Sequence, residues 1–112
     1  MAKTKSSATV TRSSGNVFAD LRLSQADEKH TQVRLAVTIN RIIKERRLSQ
    51  VQAADVLGIN QPKISALANY RLEGFSVERL IHFLNSLGRD VEIVVRKSPG
   101  SRRAGRILVT AA

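Results

Sequence analysis

The chain has 112 residues, enough for one small domain with tails, and 42% of them are hydrophobic although only three Phe and one Tyr supply aromatic mass. Cysteine is absent, which excludes disulfides and thiolate metal sites, and no run of about 18 apolar residues is present to span a membrane. Nineteen Lys and Arg against nine Asp and Glu leave a formal charge of +10, which favours a polyanionic partner, nucleic acid before an anionic membrane surface.

Residues 1–14 are rich in Ser, Thr and Lys and lack periodicity, so they read as a disordered tail. This start is basic but has no apolar core of a secretory signal, and with the missing cysteines it fits a cytoplasmic protein. Residues 15–96 read as one domain. It opens on "GNVFADLRL", which sets Val17, Phe18, Leu21 and Leu23 in a polar neighbourhood; Val17, Phe18 and Leu21 either dock another protein or pack against this chain's own bundle. Ser24 with Asp27 resembles a capping box and predicts a first helix running to about Arg46. Its first half is polar nearly all round, and Leu35, Ile39, Ile42 and Ile43 form a stripe in its second half.

A second helix is predicted from the capping box Ser49-x-x-Gln52 to Gly58, a natural left-handed residue at a helix end. Asn60 caps a third helix that tolerates Pro62 in its first turn and closes at Asn69 and Tyr70. After the "RLEG" loop, Ser76 caps a fourth helix, with Phe75 and Leu80 at the staple positions on either side of the cap. Val77, Leu80, Ile81, Leu84 and Leu87 make its apolar stripe, and Gly88 ends it. From Asp90 to Arg96 the period changes to two: Val91, Ile93 and Val95 alternate with Glu92, Val94 and Arg96, as in a strand. Residues 97–112 read as a basic flexible tail with a short "ILV" near its end. The expected fold is therefore mostly α, a small helical bundle closed by one C-terminal β-strand. A single strand needs a partner. "RILV" could fold back on it or another protein could cover it, but the loop to "RILV" is long and charged, so antiparallel pairing with a second copy, giving a homodimer through Val91, Ile93, Val94 and Val95, is favoured.

The stretch "LSQVQAADVLGINQPKISAL" is two short helices broken by a tight turn, the pattern of a helix-turn-helix. Ala54 is small where the helices would cross, Gly58 permits the turn, and Leu57, Ile59, Ile64 and Leu67 are apolar where both helices would face the core. On these residues the sequence resembles the Cro/phage-repressor-like (XRE) helix-turn-helix family: Ala54, Gly58, Ile64 and Leu67 match its pattern, as do Gln50 and Gln61 at the two helix starts. The resemblance covers roughly Leu35 to Leu87. It implies a lambda-repressor-like fold, a double-stranded DNA operator as partner, and a third helix that enters the major groove N-terminus first.

A helical wheel of that third helix sets Ile64 and Leu67 inside and Pro62, Ser65, Ala66 and Asn69 opposite, with Gln61 at the exposed start. Gln61 is then the candidate base reader, its amide suited to adenine N6 and N7. Ser65 suits either kind of base edge, and Pro62 and Ala66 suit thymine methyls. Gln50, Lys63, Asn69 and Arg71 are the candidates for phosphate contacts, with Gln50 also placed to support Gln61. The expectation is modest specificity per half-site, compensated by dimerisation.

His30 falls on the polar half of the first helix and His82 opposite Leu80 and Leu84, and neither has the spaced Cys, His or carboxylate partners of a metal site or triad. With no Gly-rich phosphate loop either, no enzyme activity, metal or cofactor is expected. The layout also resembles a narrower group, the small HigA-type antitoxins, through "NVFADLRL" ahead of the first helix and "FSVERLIHFLNSLGRDVEIVVR" after the helix-turn-helix. That resemblance implies a repressor of its own operon that neutralises a RelE-like, mRNA-cleaving toxin, docked at Val17, Phe18 and Leu21. The alternative is a stand-alone XRE-family transcriptional regulator with no toxin partner.

Overall fold

The computed structural model describes residues 25–99 and 105–111, which form four helices: α1 Gln25–Glu45, α2 Gln50–Leu57, α3 Gln61–Ala68 and α4 Val77–Ser86. Val17, Phe18 and Leu21, the Ser24 cap and the 1–14 tail lie outside the described residues.

Along α1, Asp27 and Glu28 in the first turn and Lys44 in the last complement the helix dipole. Leu35, Ala36, Ile39 and Ile42 are buried and Ile43 packs beside them, so the expected stripe is present with Ala36 added. Thr31 is buried as well, in the half that looked polar nearly all round; its hydroxyl donates to the Asp27 carbonyl at 2.9 Å, which satisfies the polar atom inside the helix itself. The chain leaves α1 through Arg47, a non-glycine residue at φ 55°, and the Leu48 N–H reaches back to the Ile43 carbonyl at 3.1 Å.

Both ends of α2 follow from its sequence. Ser49 Oγ accepts from the Gln52 N–H at 3.1 Å while Gln52 Oε1 accepts from the Ser49 N–H at 2.8 Å, closing the capping box. At the other end Gly58 adopts φ 69°, ψ 33°, and the Ile59 N–H bonds the Ala54 carbonyl at 3.0 Å. Two residues later Asn60 Oδ1 caps the Lys63 N–H at 3.0 Å and starts α3. Ala53, Ala54 and Leu57 of α2 then meet Ile64 and Leu67 of α3 inside the common core.

The segment between α3 and α4 is more than a loop, because Leu72 and Phe75 are both buried. Ser76 caps α4 by accepting from the Arg79 N–H at 3.1 Å, and the helix buries Val77, Leu80, Phe83 and Leu84. Phe83 replaces Ile81 in the expected stripe; Ile81 is only half-buried. The reason is aromatic: Phe75 and Phe83 meet edge to face with centroids 5.9 Å apart.

The predicted strand is not formed within the chain. No strand occurs among the described residues, and from Asp90 to Arg96 only Val91 packs against the core, while Ile93, Val94 and Val95 are 75%, 60% and 91% exposed. The "ILV" of the tail does not fold back on them either. Ile107, Leu108 and Val109 border a small cavity with His30, Thr31 and Arg34 of α1, and Val109 packs against the core. A strand ladder needs a neighbouring backbone, and none pairs with this segment among the described residues.

The turn at Gly58 gives the first prediction. A Cβ there meets nothing within 4 Å, so Gly58→Ala is penalised by its left-handed backbone alone, about 1–2 kcal/mol. Gly74 has no left-handed φ, and a Cβ there meets only Lys63 Nζ at 3.7 Å, so Gly74→Ala is expected to be neutral or to stabilise by up to about 1 kcal/mol. Denaturant midpoints of the two variants, compared with the parent, check the contrast.

Candidate nucleic-acid interface

The outer side of the helix-turn-helix is built by three local decisions. Gly58 reverses the chain, Asn60 starts α3 immediately after, and the apolar pair Ile64 and Leu67 rolls that helix so that one side faces the core. What remains outside along α3 includes Gln61, Pro62, Ser65 and part of Ala66, with Lys63 as the helix's one charged side chain.

At the start of α3, Gln61 and Pro62 are both exposed, and so is Gln50 at the start of α2. Ser65 is half-buried and its carbonyl is occupied, accepting from Asn69 Nδ2 at 2.8 Å. Ala66 is half-buried and packs against the core, so its methyl is shared between the interior and the surface. Lys63 is half-buried too: its ammonium lies 5.6 Å over the Phe75 ring, a cation–π contact that parks the charge at the rim. Asn69 and Arg71 are exposed past the helix end, with the Arg71 N–H donating to the Ala66 carbonyl at 2.9 Å.

Two side chains in this region carried no expectation of a role. Val51, next to Gln50, is 61% exposed, and Tyr70, between Asn69 and Arg71, is 46% exposed in the left-handed conformation at φ 59°. Tyr70 was legible as a helix terminator; its availability at the surface depends on the turn it makes. Arg41, Lys44, Arg46 and Arg47 at the end of α1 are exposed as well, adding positive charge within the same domain.

The α3 helix is held at both ends. Asn60 caps its start, and Asn40, far off in sequence on α1, donates from Nδ2 to the Leu67 carbonyl at 3.1 Å. Two similar bonds come from α1 and the residue after it: Gln32 Nε2 to the Phe75 carbonyl at 2.6 Å and Arg46 Nη1 to the Leu87 carbonyl at 3.2 Å. The side that α3 presents is thus rigidly mounted. Elsewhere, His30 Nε2 lies 3.4 Å from Arg34 Nε, and His82 sits 3.9 Å from Glu78 one turn earlier. Among the described residues no group of three His, Cys, Asp or Glu could hold a metal ion, and no helix is long and apolar enough to cross a membrane.

Chemically, this surface offers uncharged hydrogen-bonding amides on a projecting helix start, flanked by cations. Such an arrangement suits a duplex, whose base edges take amides and whose phosphates take cations. A family of helix-turn-helix domains matches over residues 17–96. A solved structure named as an XRE family transcriptional regulator is 61% identical and superposes with a TM-score of 0.75, the match covering 80% of this chain and 100% of that one. No curated protein matches.

Proposed function

The chain belongs to the XRE-type helix-turn-helix family, and from that premise we propose that it is a sequence-specific DNA-binding transcriptional regulator, a repressor that acts as a homodimer on a double-stranded operator. The observation that carries this reading is the mounting of α3: a short helix fixed at both ends, with Gln61 and Pro62 exposed at its start. In this reading Gln61 is the principal base reader, and Pro62, Ser65 and Ala66 line the groove beside it. Gln50, Lys63, Asn69 and Arg71 hold the sugar–phosphate backbone, Lys63 by swinging off the Phe75 ring. The named role of the 61% identical relative supports the same reading.

Dimerisation is proposed through Asp90–Arg96 of two copies. Three exposed apolar side chains in a row, with no ladder among the described residues, support it. A two-fold axis normal to the paired strands keeps each side chain on its own face, so the centre of the pair must fall on a residue. Centred on Val94, Glu92 lies opposite the partner's Arg96, and Ile93 opposite the partner's Val95. Centring on Ile93 would instead set Glu92 against the partner's Val94. The Val94 register matches charge with charge, each pair contributing about 0.2–1 kcal/mol.

A further step is that this regulator is the antitoxin of a type II pair, neutralising a RelE-like toxin through Val17, Phe18 and Leu21. Its support is the resemblance of the segments before and after the helix-turn-helix to HigA-type antitoxins. The charge of +10 argues against neutralising a basic nuclease by charge alone, so docking would rest on the apolar side chains. Without a toxin the chain acts as a stand-alone regulator. Co-expression with a RelE-like protein encoded beside it separates the two: rescue of growth that is lost on Phe18→Asp supports the antitoxin role, and no rescue by the parent chain rejects it.

Gln61→Ala is expected to cost about 1–3 kcal/mol on the preferred duplex and much less on random DNA, so the specificity ratio falls. Arg71→Ala should weaken both alike and reduce the log–log salt slope by about 0.9, one phosphate's worth. Thermal melts establish first that both variants fold. Equal losses on both duplexes for Gln61→Ala would remove α3 as the reader.

Ile93→Pro, which deletes a ladder donor and a packed side chain, is expected to sediment as a monomer, keep its helical spectrum and lose operator affinity. Arg96→Glu should weaken the dimer, and adding Glu92→Arg should restore it. A parent chain that sediments as a monomer at micromolar concentration would end the proposal.

A further inference from the structure

We propose that Asn40 is a positioning residue for DNA reading, which sets the angle of α3 by tying its last turn to α1; the proposal rests on α3 being the reader. The helix has eight residues, and its packing on the core runs along one side through Ile64 and Leu67. Apolar packing is non-directional: it fixes how deeply α3 sits and resists tilting less well. The start of α3 is set by the Gly58 turn and the Asn60 cap. At its other end the bonds of Asn69 Nδ2 to the Ser65 carbonyl and of the Tyr70 N–H to the Leu67 carbonyl are local to α3 and its exit, and they move with it. Asn40 Nδ2 to the Leu67 carbonyl, at 3.1 Å and spanning 27 positions of sequence, refers that end to an outside element.

Leverage makes the bond matter. From Leu67 back to Gln61 is six residues, about 9 Å of helix, so a tilt of about 10° at the Leu67 end moves Gln61 by about 1.6 Å. Bidentate bonding to a base tolerates a spread of only about 0.5 Å in donor–acceptor distance. Asn suits the task because its amide supplies an N–H to a carbonyl. Asp would set an acceptor against an acceptor, and Leu would keep roughly the shape and lose the donor. The Leu67 carbonyl also accepts from the Tyr70 N–H at 3.2 Å, a bond that does not involve Asn40, so loss of the Asn40 bond need not orphan the acceptor.

The test compares parent, Asn40→Leu and Asn40→Ala on two probes: duplexes that the parent chain enriches from a random-sequence pool, and the unselected pool, at one salt concentration. The expected result is a loss of about tenfold or more on the enriched duplexes and less than about twofold on the pool, with far-ultraviolet spectra unchanged. A residue that only stabilised the fold would lower both affinities by the same factor; equal losses, or none in a folded variant, overturn the proposal. Amide exchange supplies a reading free of DNA: exchange in the last turn of α3 should quicken in both variants relative to α2, and unchanged exchange overturns the tie. If the parent enriches no sequence, α3 as reader falls and this proposal falls with it, while quickened exchange would still record the tie, so the two failures are distinguishable.

Discussion

Among the described residues, three of the four helices have eight, eight and ten residues, lengths at which an isolated helix does not persist in water. They exist because α1, with 21 residues, offers them a continuous apolar stripe through Leu35, Ala36, Ile39 and Ile42. Side chains buried to this degree, such as Ile39 and Leu80, contribute on the order of 1.5–3 kcal/mol each, and they tie the short helices to the long one. To this packing α1 and the residue after it add directional bonds: Gln32, Asn40 and Arg46 each donate to a carbonyl at or near a helix end, at Phe75, Leu67 and Leu87. The long helix is a spine, and the geometry of everything on it is referred to that spine.

The helix-turn-helix shows how few residues such a scaffold then needs. Ser49, Gly58 and Asn60 decide where α2 begins, where it ends and where α3 starts, through one capping box, one left-handed residue and one cap. Ala54, almost fully buried, is small enough for the two helices to cross closely. None of these residues is charged.

Much of this was legible because it is local. The caps at Ser49, Asn60 and Ser76 and the left-handed exits at Gly58 and Gly88 are written into neighbouring residues, and the structure forms each of them. What escaped is what depends on distant partners. Phe83 sits three residues after Leu80 and was open to detection, but its place in the core is decided by Phe75, which a pattern within α4 does not contain. Leu72 looked like loop and is buried because the segment after α3 crosses the core. The wheel set Ala66 outside, yet its small side chain lets the core reach halfway around it. Asn40 read as an ordinary polar helix residue, since nothing near it in sequence announces the Leu67 carbonyl. The alternation from Asp90 to Arg96 records a capacity to form a strand, and capacity becomes structure only beside a second backbone.

Tyr70 has a practical consequence. It is the single tyrosine, and tryptophan is absent, so all indole- and phenol-like emission of the protein comes from one half-exposed ring just past the end of α3. A chromophore in that place makes the chain its own probe. A change in tyrosine intensity reports the exit of the helix-turn-helix, and a change in anisotropy adds the tumbling of the whole molecule, without a label. The same economy leaves the protein almost transparent near 280 nm, so its concentration is better followed by peptide-bond absorbance or by amino-acid analysis.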